Sequence, residues 1–124
     1  MIVGIGTDLI QIERIRGVLQ RQGERFARRI LKPREYQIFT SRYDQVAFLA
    51  KRFAAKEALS KALQTGIGRI SWQDVEITNC PAGAPAIRVL GKAQDLLVAQ
   101  GGGNILLSLS DERDYALAFV VIST

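Results

Sequence analysis

Glu57 sits in the middle of an uninterrupted run of helix-forming residues, beside Phe53 and between Ala54 and Ala58. A carboxylate in such surroundings is not freely solvated and needs a cation or a hydrogen-bond donor. Lys61 stands four residues further on, the spacing and order of a helix salt bridge. Asp8 is the second carboxylate of interest. It follows the segment Ile2–Gly6 and Thr7, where glycine lets the backbone come close to a ligand. The same position equally suits a helix N-cap. Arg52 and Lys56 fall, on a helical wheel, among Leu49, Ser60 and Leu63. Either they snorkel out of an apolar face, or they bind phosphate in a cleft. Thr65-Gly66-Ile67-Gly68 offers backbone N–H groups to an anion, but it follows a helix C-terminus, whose dipole opposes one. Three cations and one carboxylate on a packed helix suggest a site that joins an anion to a metal more than a solvent face does.

Composition narrows the chemistry. The chain has no histidine and one cysteine. Histidine general-base catalysis and Ser-His-Asp triads are excluded, and zinc loses its preferred ligands. A bound metal would be a hard ion held by carboxylates, with magnesium the foremost choice. Cys80 has no partner for an internal disulfide, which fits a reducing compartment. No apolar run reaches the roughly 20 residues of a membrane span, and Met1–Gly4 opens no signal-peptide pattern. The expected location is the cytoplasm. The net charge of +5 is local: residues 13–36 hold eight basic and three acidic side chains, and the remainder balances. Such a field suits an acidic partner, a phosphate or a nucleic acid, or is a solvated helix face.

The elements that must position these groups follow from pattern. Ile2–Gly6 reads as a short buried strand. Leu9, Ile10, Ile12, Ile15, Val18 and Leu19 then fall near helical spacing, with Thr7 or Asp8 as cap and Gly23 as interruption. Glu24–Leu31 and a segment from Pro33 to about Thr40 read as short helices. Asp44 is placed to cap a long helix reaching Leu63, with Gly66 as its stop. Its large apolar residues form one face, and Ala47, Ala50, Ala54 and Ala58 form a stripe that another backbone can approach. Asp74–Thr78 and Ala86–Leu90 read as a hairpin, and Lys92–Gln100 as a helix before three glycines. Asn104–Ser110 and Tyr115–Ile122 complete the chain as strands, apolar on both faces. The expectation is one α+β domain over residues 1–124, with a mainly antiparallel sheet packed against a long central helix.

Three segments carry a family resemblance. Gly4-Ile5-Gly6-Thr7-Asp8-Leu9, with Ile12 and Arg14-Ile15, resembles the N-terminal motif of holo-acyl-carrier-protein synthases. Arg52-Phe53-Ala54-Ala55-Lys56-Glu57-Ala58, with Lys61-Ala62 and Gly66-Ile67-Gly68, resembles their central signature. Ser108-Leu109-Ser110-Asp111-Glu112, then Tyr115-Ala116 and Ala118, resembles their C-terminal motif. Gln64, Ala84 and Asp111 stand where many members carry glycine, a basic residue and histidine.

The resemblance implies a 4'-phosphopantetheinyl transferase fold and reaction, in which phosphopantetheine passes from coenzyme A to a serine of an acidic acyl carrier protein. It implies magnesium at Asp8 and Glu57, catalysis by Asp8, Glu57 and Lys61, and coenzyme A contacts from Arg52, Lys56, Lys61, Gly66, Ser110 and Asp111. Arg14 and Arg21, seven residues apart, are the leading candidates for carrier docking, extended by Arg25 and Arg28. The family also implies a homotrimer with sites between subunits. Two alternatives remain at this point. A small RNA-binding domain accounts for the basic segment, although only Phe26 and Tyr36 interleave with its charges. A non-catalytic coenzyme A-binding regulator accounts for the cations but has no use for Asp8 with Glu57.

Overall fold

A computed structural model describes all 124 residues. Strand β1 (Ile2–Gln11) is followed by helices α1 (Ile12–Gln22), α2 (Glu24–Ile30), α3 (Pro33–Thr40) and α4 (Gln45–Ala62). A 3-10 turn at Trp72–Asp74 leads into the hairpin β2 (Val75–Asn79) and β3 (Pro85–Val89). Helix α5 (Gly91–Ala99), β4 (Asn104–Asp111) and β5 (Tyr115–Ser123) complete the chain. One sheet has the order β1-β5-β4 and the other is β2-β3, all antiparallel. The α+β architecture and the central helix are as the sequence pattern indicates.

The strand-to-helix boundary near the N-terminus is not. β1 runs to Gln11, and Asp8 lies within it, paired with Ala118 of β5. Asp8 is therefore no N-cap. The inward positions of β1 are Gly4, Gly6, Asp8 and Ile10. Two glycines and an aspartate hide the period of two, so Leu9, Ile10 and Ile12 imitate a helical spacing. Asp44 does precede α4, but its side chain caps nothing. Its two oxygens instead take the Arg42 Nε and Nη2 hydrogens, each at 2.7 Å. That guanidinium holds the Asp44 carboxyl below the usual range.

α4 is the axis of the core. It packs on both β1 and β5, and buried residues occupy most of its circumference. Ala54, Ala58 and Ala62 are fully buried. The alanine stripe does admit a neighbouring backbone, and the neighbour is β1. A Cβ on Gly6 would overlap the Ala58 carbonyl oxygen and lie 2.8 Å from the Ala62 nitrogen; one on Gly4 would overlap the Ala62 carbonyl oxygen. Small residues on both sides thus bring strand and helix backbones together. Ala116, Ala118, Val120 and Ile122 of β5 continue the buried face.

The opposite face of this sheet is open. Ile5, Leu9, Leu106, Leu117 and Phe119 are all exposed, with Ile5 at 61% and Leu9 at 62%. α4 and its neighbours cover only the inner side of the terminal strands. Contiguous apolar surface of this kind marks an interaction face.

The close approach sets a first test. Gly6→Ala should destabilise the fold by about 1–3 kcal/mol, the usual cost of overpacking a filled interior. Urea unfolding measures it, and an unchanged midpoint would show that strand and helix can separate at no cost.

Candidate active site

The approach of β1 to α4 brings Asp8 against the C-terminal turns of the helix. Lys61 Nζ donates to Asp8 Oδ1 at 3.2 Å and to the Thr7 carbonyl at 2.9 Å. Glu57 lies one turn earlier on the same helix, partly buried. Its carboxyl is pushed up by burial first and by the negative charge of Asp8 second, with Lys61 opposing. The within-helix Glu57–Lys61 bridge suggested by spacing is not formed; Lys61 pairs with Asp8 across the strand–helix contact. Asp8, 49 residues before Glu57 in sequence, thus converges with Glu57 and Lys61.

Arg52 and Lys56 lie away from this convergence. Both were expected in a phosphate-binding cleft, and both lie in the interior with Glu35. Lys56 Nζ donates to Glu35 Oε1 at 2.7 Å, to the Ile30 carbonyl at 2.7 Å and to the Trp72 carbonyl at 3.2 Å. Arg52 Nη2 donates to the Ile77 carbonyl at 3.2 Å, and its Nε is 3.3 Å from Glu35 Oε2. Glu35 also accepts from the Lys32 and Ile77 backbone N–H groups. Burial lowers the pKa of both cations and Glu35 opposes it. Wholly buried and with three acceptors taken, the Lys56 ammonium acts as a rivet of the core. Glu35 was read only as one acid within a basic run. Its spacing of four from the buried Phe39 is the signal that it faces inward.

The remaining candidates are dispersed. Gly66 takes a positive φ of 75° in the turn after α4, where its N–H and that of Thr65 both donate to the Ser60 carbonyl. The turn therefore closes the helix, after Gln64 has already entered the left-handed region at φ 62°. Ser110 and Asp111 end β4, with β5 between them and Asp8. Ser110 is exposed beside Leu117, and Asp111 lies 3.5 Å from Lys51 Nζ, a partner the sequence reading missed. Arg14, Arg21, Arg25 and Arg28 are all exposed on α1 and α2. Arg28 is 3.9 Å from Glu24 and stacks over Tyr36 at 4.2 Å. The other three make no ion pair within the chain.

Asp8 and Glu57 are adjacent carboxylates, and no cluster of three or more acidic, histidine or cysteine side chains exists. Magnesium is typically held by one or two carboxylates and otherwise keeps its waters. A desolvated carboxylate pair with one partly exposed lysine fits that ion. None of the three residues lines an enclosed cavity. A hollow of 410 Å3 at the N-terminal end of α4 is bordered instead by Arg16, Tyr43, Asp44, Ala47, Asp111 and Arg113.

Residues 4–120 match the model of the 4'-phosphopantetheinyl transferase superfamily. A holo-[acyl-carrier-protein] synthase of Halorhodospira halophila is 49% identical over 125 residues, covering 100% of this chain and 99% of that protein. The synthase of Vibrio vulnificus is 49% identical over 124 residues, covering 99% and 98%. Among solved structures, the Neisseria meningitidis synthase superposes with a TM-score of 0.92 at 44% identity and full coverage of both chains. The Bacillus anthracis synthase, solved in complex with coenzyme A (3',5'-ADP), gives 0.83 at 36% identity, covering 98% and 96%. The chain belongs to the holo-[acyl-carrier-protein] synthase family of that superfamily.

The two lysines on α4 differ in what their removal should do. Lys56→Met should cost about 3–5 kcal/mol of stability, because it leaves Glu35 buried with one partner fewer. Lys61→Met should cost less than about 1 kcal/mol, since its side chain is 52% exposed and its ion pair is screened. Paired denaturation curves check this. Equal losses would refute the division between a core lysine and a site lysine.

Proposed function

We propose that this chain transfers the 4'-phosphopantetheine group of coenzyme A to a serine hydroxyl of an apo-acyl carrier protein, releasing adenosine 3',5'-bisphosphate and supporting fatty acid biosynthesis. The observation that carries this reading is the convergence of Asp8, Glu57 and Lys61 in a chain that matches synthases of this name from end to end. Neither an RNA-binding domain nor a non-catalytic regulator accounts for that convergence.

Asp8 and Glu57 would hold magnesium, which when bound offsets the charge of the coenzyme A pyrophosphate as the serine oxygen approaches. The chain's own groups do the rest by position and charge, as phosphoryl transfer requires. The Thr7 carbonyl and Asp8 hold the Lys61 ammonium at the strand edge, half exposed and able to face a departing phosphate. The serine proton leaves to a nearby carboxylate, Glu57 or Asp8, or to solvent. The raised pKa of Glu57 in the protein alone reflects an uncompensated carboxylate, and supports the view that a cation belongs there.

The basic segment supplies the carrier's dock. Exposed guanidiniums at Arg14, Arg21 and Arg25 have no internal partner, and Arg28 extends the row. Carboxylates of an acidic carrier would complete them. The open apolar face of the β1-β5-β4 sheet fits a homotrimer in which copies of the chain cover one another's strands. Cyclic closure hides such a face without unlimited growth. Ser110 and Asp111 would then reach the nucleotide of a neighbouring site, which agrees with their separation from Asp8 within one chain. No helix is long and apolar enough to cross a membrane, and the reading places the enzyme in the cytoplasm with its carrier.

Incubation with coenzyme A, magnesium and apo-carrier should add one phosphopantetheine mass to the carrier. Asp8→Asn and Glu57→Gln should each abolish that addition while retaining the fold, and EDTA should do the same to the parent until magnesium is restored. Full turnover in EDTA would contradict the metal assignment. Light scattering should give three chains per particle, and a fully active single chain would contradict the shared site.

A further inference from the structure

The carbonyls at the C-terminal end of α2 are met by donors from distant parts of the chain. Gln73 Nε2 approaches the Arg28 and Arg29 carbonyls at 3.2 Å each and the Leu31 carbonyl at 3.0 Å. The carbonyl between them, Ile30, accepts from Lys56 Nζ at 2.7 Å. Four consecutive carbonyls are thus held by one amide and one ammonium. Lys32 returns the contact, its Nζ donating to the Gln73 carbonyl at 2.9 Å. Helix ends are usually satisfied by water or by a local cap, and neither arrangement would tie the helix to anything. α2 has seven residues and cannot hold its own geometry.

The consequence is a rigid link between two surfaces. Arg25 and Arg28 stand on α2, whose end is fixed by Gln73 and Lys56. Lys56 directly precedes Glu57 on α4. We propose that Gln73 is a positioning residue for carrier docking: its amide, together with Lys56, sets the place of the Arg25–Arg28 surface relative to the Asp8–Glu57 pair. It rests on the reading above, in which the chain modifies a carrier that docks on α1 and α2. A docked carrier can present its serine only if dock and carboxylates keep a fixed separation. Positioning of this kind governs how tightly the productive complex forms.

Lys56 is a poor subject for the test because its loss endangers the fold. Gln73 is only half-buried, and the carbonyls it releases lie near solvent. Gln73→Met keeps the side-chain length and removes the donor. Steady-state kinetics of the full assembly should show the carrier KM raised roughly tenfold, the worth of one to two hydrogen bonds. The coenzyme A KM should stay at the parent value. A double-mutant cycle with Arg28→Ala should be clearly less than additive, because both changes act through α2. A parent-like carrier KM in Gln73→Met, full additivity, or a coenzyme A KM that rises in parallel would overturn the proposal. If the parent protein itself fails to modify the carrier, the functional reading falls instead. If it succeeds and Gln73→Met matches it, only the positioning role is lost.

Discussion

The backbone of β1 lies so close to α4 that Gly4 and Gly6 leave no room for a methyl group. That contact is possible because Ala58 and Ala62 present an equally bare surface. Its effect reaches beyond packing. Two residues past Gly6 the strand turns Asp8 inward, and at that point the helix offers Lys61, with Glu57 one turn before it. Any larger residue at the contact would push Asp8 away from both. The carboxylate pair is therefore a product of small side chains, and its separation is set by two regular elements rather than by a loop. Sites carried on such elements hold their geometry more closely than sites on loops.

A second constraint acts on charge. α4 places Lys56 and Lys61 five residues apart, and the two have opposite fates. Lys56 is wholly buried with three acceptors, so its charge is consumed by the fold. Lys61 is half exposed, with an ion pair that water weakens, so its charge is only loosely engaged by the fold. The energetic scale separates the roles: breaking the buried pair costs several kcal/mol, and breaking the exposed one costs about 1 kcal/mol or less. Arg52 follows Lys56 into the interior. The exposed arginines of α1 and α2 are the ones that the reading assigns to the carrier.

Much of this was legible in the sequence, for identifiable reasons. α4 announced itself through length, good helix formers and two faces. The β2-β3 hairpin was marked by its turn, with bounds within one residue of those observed. The three motifs led to the family that the comparisons establish. What failed, failed through ambiguity of pattern. β1 was cut short because its inward positions are glycine and aspartate, which carry no hydrophobic period. The burial of Arg52 and Lys56 was not foreseen, because a cation on an apolar face reads as a snorkelling side chain or a phosphate ligand when its partner is not visible in sequence. The partner, Glu35, lies 17 and 21 residues away on α3. Gln73 and Lys51 were invisible for the same reason: their roles exist only through tertiary contacts.

The central claim is that Asp8 and Glu57, brought together by the strand–helix contact, act as one cation site. Titration with manganese, a paramagnetic stand-in for magnesium, measures this directly through water proton relaxation with coenzyme A present. The account predicts one saturable site per chain, lost equally in Asp8→Asn and in Glu57→Gln, and competed by magnesium. Parent-like manganese affinity in either variant would contradict it.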